Sequence, residues 1–167
     1  MSKKMKCILV RHGKSSWDTN HLDHDRPLAL RGIRASEKIG RWLSANDHIP
    51  ELILCSTAER TRQTWGIIKK VVNSKNEEQL VPELYGASPA TMLRFLQRAD
   101  RSPVLMVGHN PGIGELAHFL LQKPPQTSNF FRYPTCATMV CEFPSTKWQD
   151  IIPGEATLVD FVVPREL

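Results

Sequence analysis

Three short apolar runs stand out against an otherwise mixed chain: Met5 to Val10, Leu52 to Cys55 and Val104 to Val107. Continuous runs of this length suit strands covered on both faces, as in a parallel sheet. Between them the apolar spacing turns helical. A helix is predicted over 32–45, with Ile33, Ile39, Trp42 and Leu43 as its buried stripe, and another over 58–72, with Trp65, Ile68 and Val72 inward. After a polar segment, Leu80 and Val81 mark a short strand. Ser88-Pro89 is a helix start, an N-cap followed by proline at the first helical position, with Met92, Phe95 and Leu96 facing inward. A further helix covers 113–121, a loop runs from Pro124 to Pro134, and two alternating runs, 137–143 and 156–163, read as closing strands. This alternation of strands and helices argues an α/β fold with a largely parallel sheet. No repeat, low-complexity tract or linker divides the 167 residues, so a single domain over 1–167 is expected.

Composition narrows the partners. The net charge of +5 suits an anionic ligand such as phosphate and is too mild to argue for nucleic acid. Lys3, Lys4 and Lys6 precede the first run, but Arg11 cuts it too short for a signal peptide, and no stretch is long enough to span a membrane. Cys7, Cys55, Cys136 and Cys141 form no Cys-x-x-Cys pair and read as buried, reduced thiols. A soluble cytoplasmic protein is therefore expected. Nothing in the sequence fixes its oligomeric state, and a monomer is compatible with all of it.

The ends of the three apolar runs carry the candidate chemistry. The first ends in Arg11-His12-Gly13, the second in Ser56 with Arg60 four residues on, and the third in Gly108-His109-Asn110. In open α/β sheets the ligand sits beyond the carboxyl ends of the strands. If the three strands are parallel neighbours, two histidines and two arginines converge at one rim. One imidazole can act as a nucleophile and carry a phosphoryl group. Two guanidiniums can grip phosphate oxygens by forked hydrogen bonds, and a second imidazole can donate to the developing charge. Alone, each residue is ordinary: a turn histidine, a solvated helix arginine, a histidine capping a helix. Their coincidence at three strand ends makes the case.

Other chemistries fit worse. Cys55 and Arg60 are separated by four residues, where the cysteine-based phosphatase loop has five. No Gly-x-x-x-x-Gly-Lys loop is present. His21, Asp23, His24 and Asp25 form a polar cluster better read as solvated than as a metal site, because no second ligand group has zinc-like spacing. No metal and no cofactor are expected.

The three segments together resemble the histidine phosphatase superfamily, which includes the cofactor-dependent phosphoglycerate mutases. Leu9-Val10-Arg11-His12-Gly13 is similar to its arginine-histidine-glycine signature, Ser56 to Thr64 to its second motif, and Val107 to Gly112 to its third. Arg11 to Trp17, Asp25-Arg26-Pro27-Leu28 and Tyr133-Pro134-Thr135 resemble the short SixA-type phosphohistidine phosphatases. The resemblance implies a phosphoglycerate mutase-like three-layer sandwich with helices on both faces of the sheet. It implies His12 as the nucleophile that becomes phosphohistidine, with Arg11, Arg60 and His109 completing the phosphate pocket. Many relatives carry an acidic proton donor, for which Glu83 is the matching position; a surface carboxylate at a turn is the equally ordinary reading. Larger relatives roof the pocket with inserted helices. Here 48 residues separate Arg60 from His109, so the pocket should be open to a protein-borne phosphohistidine. The expected activity is that of a metal-independent phosphatase acting on phosphohistidine in proteins. A broad small-molecule phosphomonoesterase and a non-catalytic phosphoprotein-binding module are the alternatives.

Overall fold

The structure, a computed structural model, describes residues 3–18 and 20–167. The three apolar runs form strands β1 (Lys6–Arg11), β2 (Leu52–Ser56) and β4 (Val104–Gly108). With β3 (Glu77–Val81), β5 (Thr138–Glu142) and β6 (Thr157–Val162) they make one six-stranded sheet of order β3-β2-β4-β1-β5-β6. The pairs β3–β2, β2–β4 and β4–β1 are parallel; β5 runs antiparallel to both its neighbours.

Helices cover both faces. Along β1 the side chains alternate between them. Ile8 and Val10 join the core beneath α1 (Leu30–Ala45) and α2 (Glu59–Val72), where Ile39, Leu43, Trp65 and Ile68 are buried. Cys7 and Leu9 join the larger core beneath α3 (Pro89–Gln97) and α4 (Gly112–Leu120), where Met92, Leu96, Ile113 and Leu116 are buried. Each aliphatic side chain so buried contributes about 1.5–3 kcal/mol. All four cysteines are buried and free. No helix among the described residues is long and apolar enough to cross a membrane.

Several expectations shift. On α1, Ile33 is exposed; the buried stripe is Gly32, Ser36, Ile39, Gly40 and Leu43. Small residues there let the backbone approach closely: a Cβ on Gly40 would sit 2.8 Å from Val71 on α2. Val72 and Phe95 are only half-buried. β3 is longer than Leu80-Val81, because an edge strand pairing only with β2 needs no apolar run. The expected loop before Pro134 contains a short helix, α5 (Ser128–Arg132), started by the Thr127 hydroxyl, which accepts from the Phe130 amide at 3.3 Å. At α3 the Ser88 hydroxyl accepts from the Thr91 amide, with Pro89 at the first turn, as expected.

Registers place the three strand ends level. Arg11 pairs with Gly108, Val107 with Cys55, and Ser56 with Val81. One rim of the sheet therefore carries all three motifs.

Candidate active site

The motifs are stitched together by main-chain bonds. The His12 amide donates to the Gly108 carbonyl (3.1 Å), joining the first motif to the third. The Gly13 amide donates to the Thr64 hydroxyl (2.9 Å), which itself donates to the Arg60 carbonyl (2.7 Å). The closing threonine of the second motif thus fixes the glycine of the first. Gly13 has no room for a side chain: a Cβ would meet the Gly32 carbonyl at 2.9 Å. Asn110 donates to the carbonyls of Arg132 and Tyr133, both at 3.0 Å, and Arg11 donates to Tyr133 at 3.2 Å. The segment before Pro134 therefore borders the site through its backbone, while Phe130 packs into the core.

His12 is buried, and its Nδ1 lies 2.7 Å from the Gly13 carbonyl. A carbonyl only accepts, so Nδ1 carries the proton and Nε2 the lone pair. Arg60 Nε approaches that Nε2 at 3.4 Å. The His109 ring lies 5.2 Å from the His12 ring, centroid to centroid, and its Nε2 is 2.8 Å from the Ser56 hydroxyl. Burial is the main cause that pushes His12 down to about 3, with His109, Arg60 and Arg11 adding to it against the Gly13 carbonyl. Burial, then Arg60, bring His109 down to about 4. Both imidazoles are neutral at ordinary pH, which a nucleophilic ring requires. Two buried polar atoms here, Arg11 Nε and His109 Nδ1, have no protein partner. Arg11 Nε is a donor, and His109 Nδ1 is one when Nε2 accepts from the Ser56 hydroxyl; groups so left unsatisfied suit an incoming oxyanion.

Sequence reasoning missed two residues. Asp23, in the polar cluster read as solvated, reaches across the site. Its carbonyl accepts from Arg60 at 2.7 Å and its Oδ2 from Arg60 at 3.2 Å, while Oδ1 accepts twice from Arg26, at 3.1 and 3.2 Å. The Tyr85 hydroxyl also donates to Asp23 Oδ2. These bonds, the tyrosine's first, hold the Asp23 carboxyl down at about 2. The Tyr85 ring stands edge-on to His109 at 5.4 Å and to His24 at 4.9 Å. Arg26 anchors the loop further through Ser15 (2.7 Å) and by stacking 3.5 Å over Trp17. Glu83, the position matched to the relatives' proton donor, is exposed, and its side chain has no hydrogen bond among the described residues. Tyr85, two residues on, is the member of that turn that enters the site.

Cys55 is not placed or tuned to act as a nucleophile. Burial raises the Cys55 thiol to about 12, the wrong direction for a nucleophile. The described residues contain no group of three or more His, Cys, Asp or Glu side chains placed to hold a metal ion. His24 turns instead to the Thr57 hydroxyl at 2.9 Å.

Residues 7–85 match the model of the histidine phosphatase superfamily (branch 1). An uncharacterized protein of Mycobacterium tuberculosis is 36% identical, covering 93% of this chain and 100% of its own. A candidate phosphohistidine phosphatase SixA from Nakamurella multipartitia is 28% identical, covers 98% of each chain and superposes with a TM-score of 0.81. A second candidate SixA, from Agrobacterium tumefaciens, is 26% identical with a TM-score of 0.79, covering 98% of this chain and 100% of its own. The chain belongs to the histidine phosphatase superfamily, in its SixA-type branch, and is a hydrolase of the phosphatase class.

Proposed function

We propose that the protein is a metal-independent phosphohistidine phosphatase in which His12 is the nucleophile. Nε2 of His12 attacks phosphorus in line. A new N–P bond forms as the P–N bond to the substrate imidazole breaks. Arg11, Arg60 and His109 bind the transferring oxygens, and the guanidiniums supply the positive charge that a metal provides elsewhere. Water then attacks the phosphorylated His12, releases inorganic phosphate and restores the free ring.

The observation that carries the substrate class is the state of Asp23. It is the carboxylate that reaches Arg60, and its neighbours hold it at about 2, so it has no proton to give near neutral pH. An alkoxide leaving group needs such a proton. A substrate imidazole does not: with its other nitrogen protonated, which is accessible near its ordinary pKa of about 6.5, it departs neutral. SixA-like relatives support the same reading.

The decisive comparison is turnover of a phosphohistidine protein against a panel of sugar phosphates, with His12→Ala as control and a chelator present. Preference for the phosphohistidine protein, unaffected by chelator, is expected. Preference for the sugar phosphates would favour the phosphomonoesterase reading, and no turnover of any substrate would favour a binding module. Phosphate label trapped on the enzyme by an alkaline denaturing quench should be labile to acid and stable to alkali; acid-stable, alkali-labile label would dismiss His12 as nucleophile.

A further inference from the structure

Beside the site lies a groove of about 570 Å³ that plays no part in the chemistry above. Six cationic side chains line it: Lys14, Arg31, Arg34, Lys38, Arg132 and Arg165. No aspartate or glutamate does, and among the described residues none of the six is in an ion pair with a carboxylate side chain. Outside the groove, sixteen Lys and Arg face seventeen Asp and Glu, so the chain's whole positive excess is concentrated here. Arg31, Arg34 and Lys38 lie along one face of α1, about 10 Å from first to last at the helical rise. The first turn of α1 has no acidic residue to balance its dipole. Like charges so placed repel one another until an anion enters.

The groove begins at the edge of the site. Lys14 follows Gly13, whose carbonyl orients His12. Gly32 seats α1 against that same loop, so closely that an added Cβ would lie 2.2 Å from the Lys14 carbonyl. On the far wall, the Arg132 carbonyl holds Asn110, the residue after His109.

The lining also indicates what enters. A small-molecule site fixes its ligand with a few rigid, convergent polar groups. Here five of the six cations are the exposed ends of long side chains. Among the described residues only the Lys38 and Arg165 side chains have hydrogen-bond partners, the Leu167 carbonyl and the Asn129 side chain. Between the charges the floor is aliphatic, built from Ala35, Pro134, Val163 and Pro164, and no aromatic ring among the described residues lines it to stack a base. Carboxylates at the rim with an aliphatic side chain on the floor describe an acidic protein segment.

We propose that this groove docks an acidic segment of the phosphoprotein substrate, the phosphorylated side chain entering the site past Lys14. This rests on the protein-substrate reading above, and two arms keep the readings apart. In the first, anisotropy follows a fluorescein-labelled, unphosphorylated Glu/Leu peptide. Binding at low ionic strength that salt weakens is expected, unchanged in His12→Ala and about tenfold weaker in Arg34→Glu/Lys38→Glu. Equal binding by that double variant, no binding by the wild type, or displacement by single-stranded DNA at lower concentration than by unlabelled peptide would overturn the docking site. In the second arm, phosphohistidine peptides with Glu or Lys flanks are compared. The wild type should prefer Glu flanks and the double variant should lose that preference, while both hydrolyse a small aryl phosphate alike; a preference kept by the double variant would overturn the groove. Peptide binding without turnover of either phosphopeptide would count against the proposed chemistry and leave the groove standing.

Discussion

Acidification probes the two buried imidazoles directly. His12 and His109 are held neutral by the fold, at about 3 and about 4 against an ordinary 6.5. Their folded values lie below the unfolded one, so as pH falls the unfolded chain takes up the protons first. Stability is therefore lost from about 6.5 downward, and the loss levels off only when the folded rings protonate too. Both residues are 6–7% exposed, so solvent screening removes little of the effect. Between about pH 7 and about pH 5 each histidine should cost about 2 kcal/mol, at 1.36 kcal/mol per unit below the unfolded pKa. Urea denaturation at both pH values measures the total, to which His48, also lowered by burial, contributes. The difference between wild type and His12→Asn isolates the His12 share. Identical losses in the two proteins would refute the account, because they would mean that His12 is as easily protonated folded as unfolded. Saturating orthovanadate should shrink the wild-type loss, since an anion beside the rings favours imidazolium.

Three further outcomes are expected. Gly32→Ala should destabilise by about 1–3 kcal/mol despite alanine's better helix propensity and should lower kcat/KM, because its Cβ would displace the Lys14 backbone; Gly66→Ala, with nothing within 4 Å, should instead stabilise slightly, and thermal melts compare the two. Ser56→Ala removes the partner of His109 Nε2 and should lower kcat about tenfold with little change in KM; unchanged kcat in steady-state assays would show that His109 needs no such positioning. Asp23→Asn keeps the backbone bond to Arg60 but deletes the charge an incoming phosphate must face, so inorganic phosphate should inhibit about threefold more tightly, and weaker inhibition would show that the carboxylate's hold on Arg60 matters more.

What could be read from the sequence, and what could not, follows from how each residue is held. Cys7 to Val10, Leu52 to Cys55 and Val104 to Val107 are buried on both faces, so only apolar residues serve there and the strands show as unbroken runs. Arg11-His12, Arg60 and His109 follow from those strands because each lies at or near a strand end. β3 was legible only at its Leu80-Val81 end: four of its five residues are exposed, and its earlier residues are a strand only because β2 pairs with them. Ile33 misled for the opposite reason, since α1 packs through glycines and a serine that no hydrophobicity pattern marks. Asp23 and Tyr85 meet across 62 residues, and nothing local distinguishes a carboxylate that will find two arginines from one that will face water. The Asp25-Arg26-Pro27-Leu28 segment was the available hint, since Arg26 ties the loop to Asp23.

The four buried cysteines have a consequence for the conditions under which this enzyme works. Peroxide attacks thiolates that are exposed and easily ionised. Burial raises the thiols of Cys7, Cys55 and Cys136, the last to about 11, although Cys136 lies against the catalytic loop near Gly13. With the His12 imidazole, the nucleophile proposed above, in place of sulfur, no group at the reacting centre is readily oxidised. Oxidative stress that silences a cysteine-based phosphatase should leave this one turning over, so dephosphorylation would continue through an oxidant burst at a pace set by the supply of phosphorylated substrate.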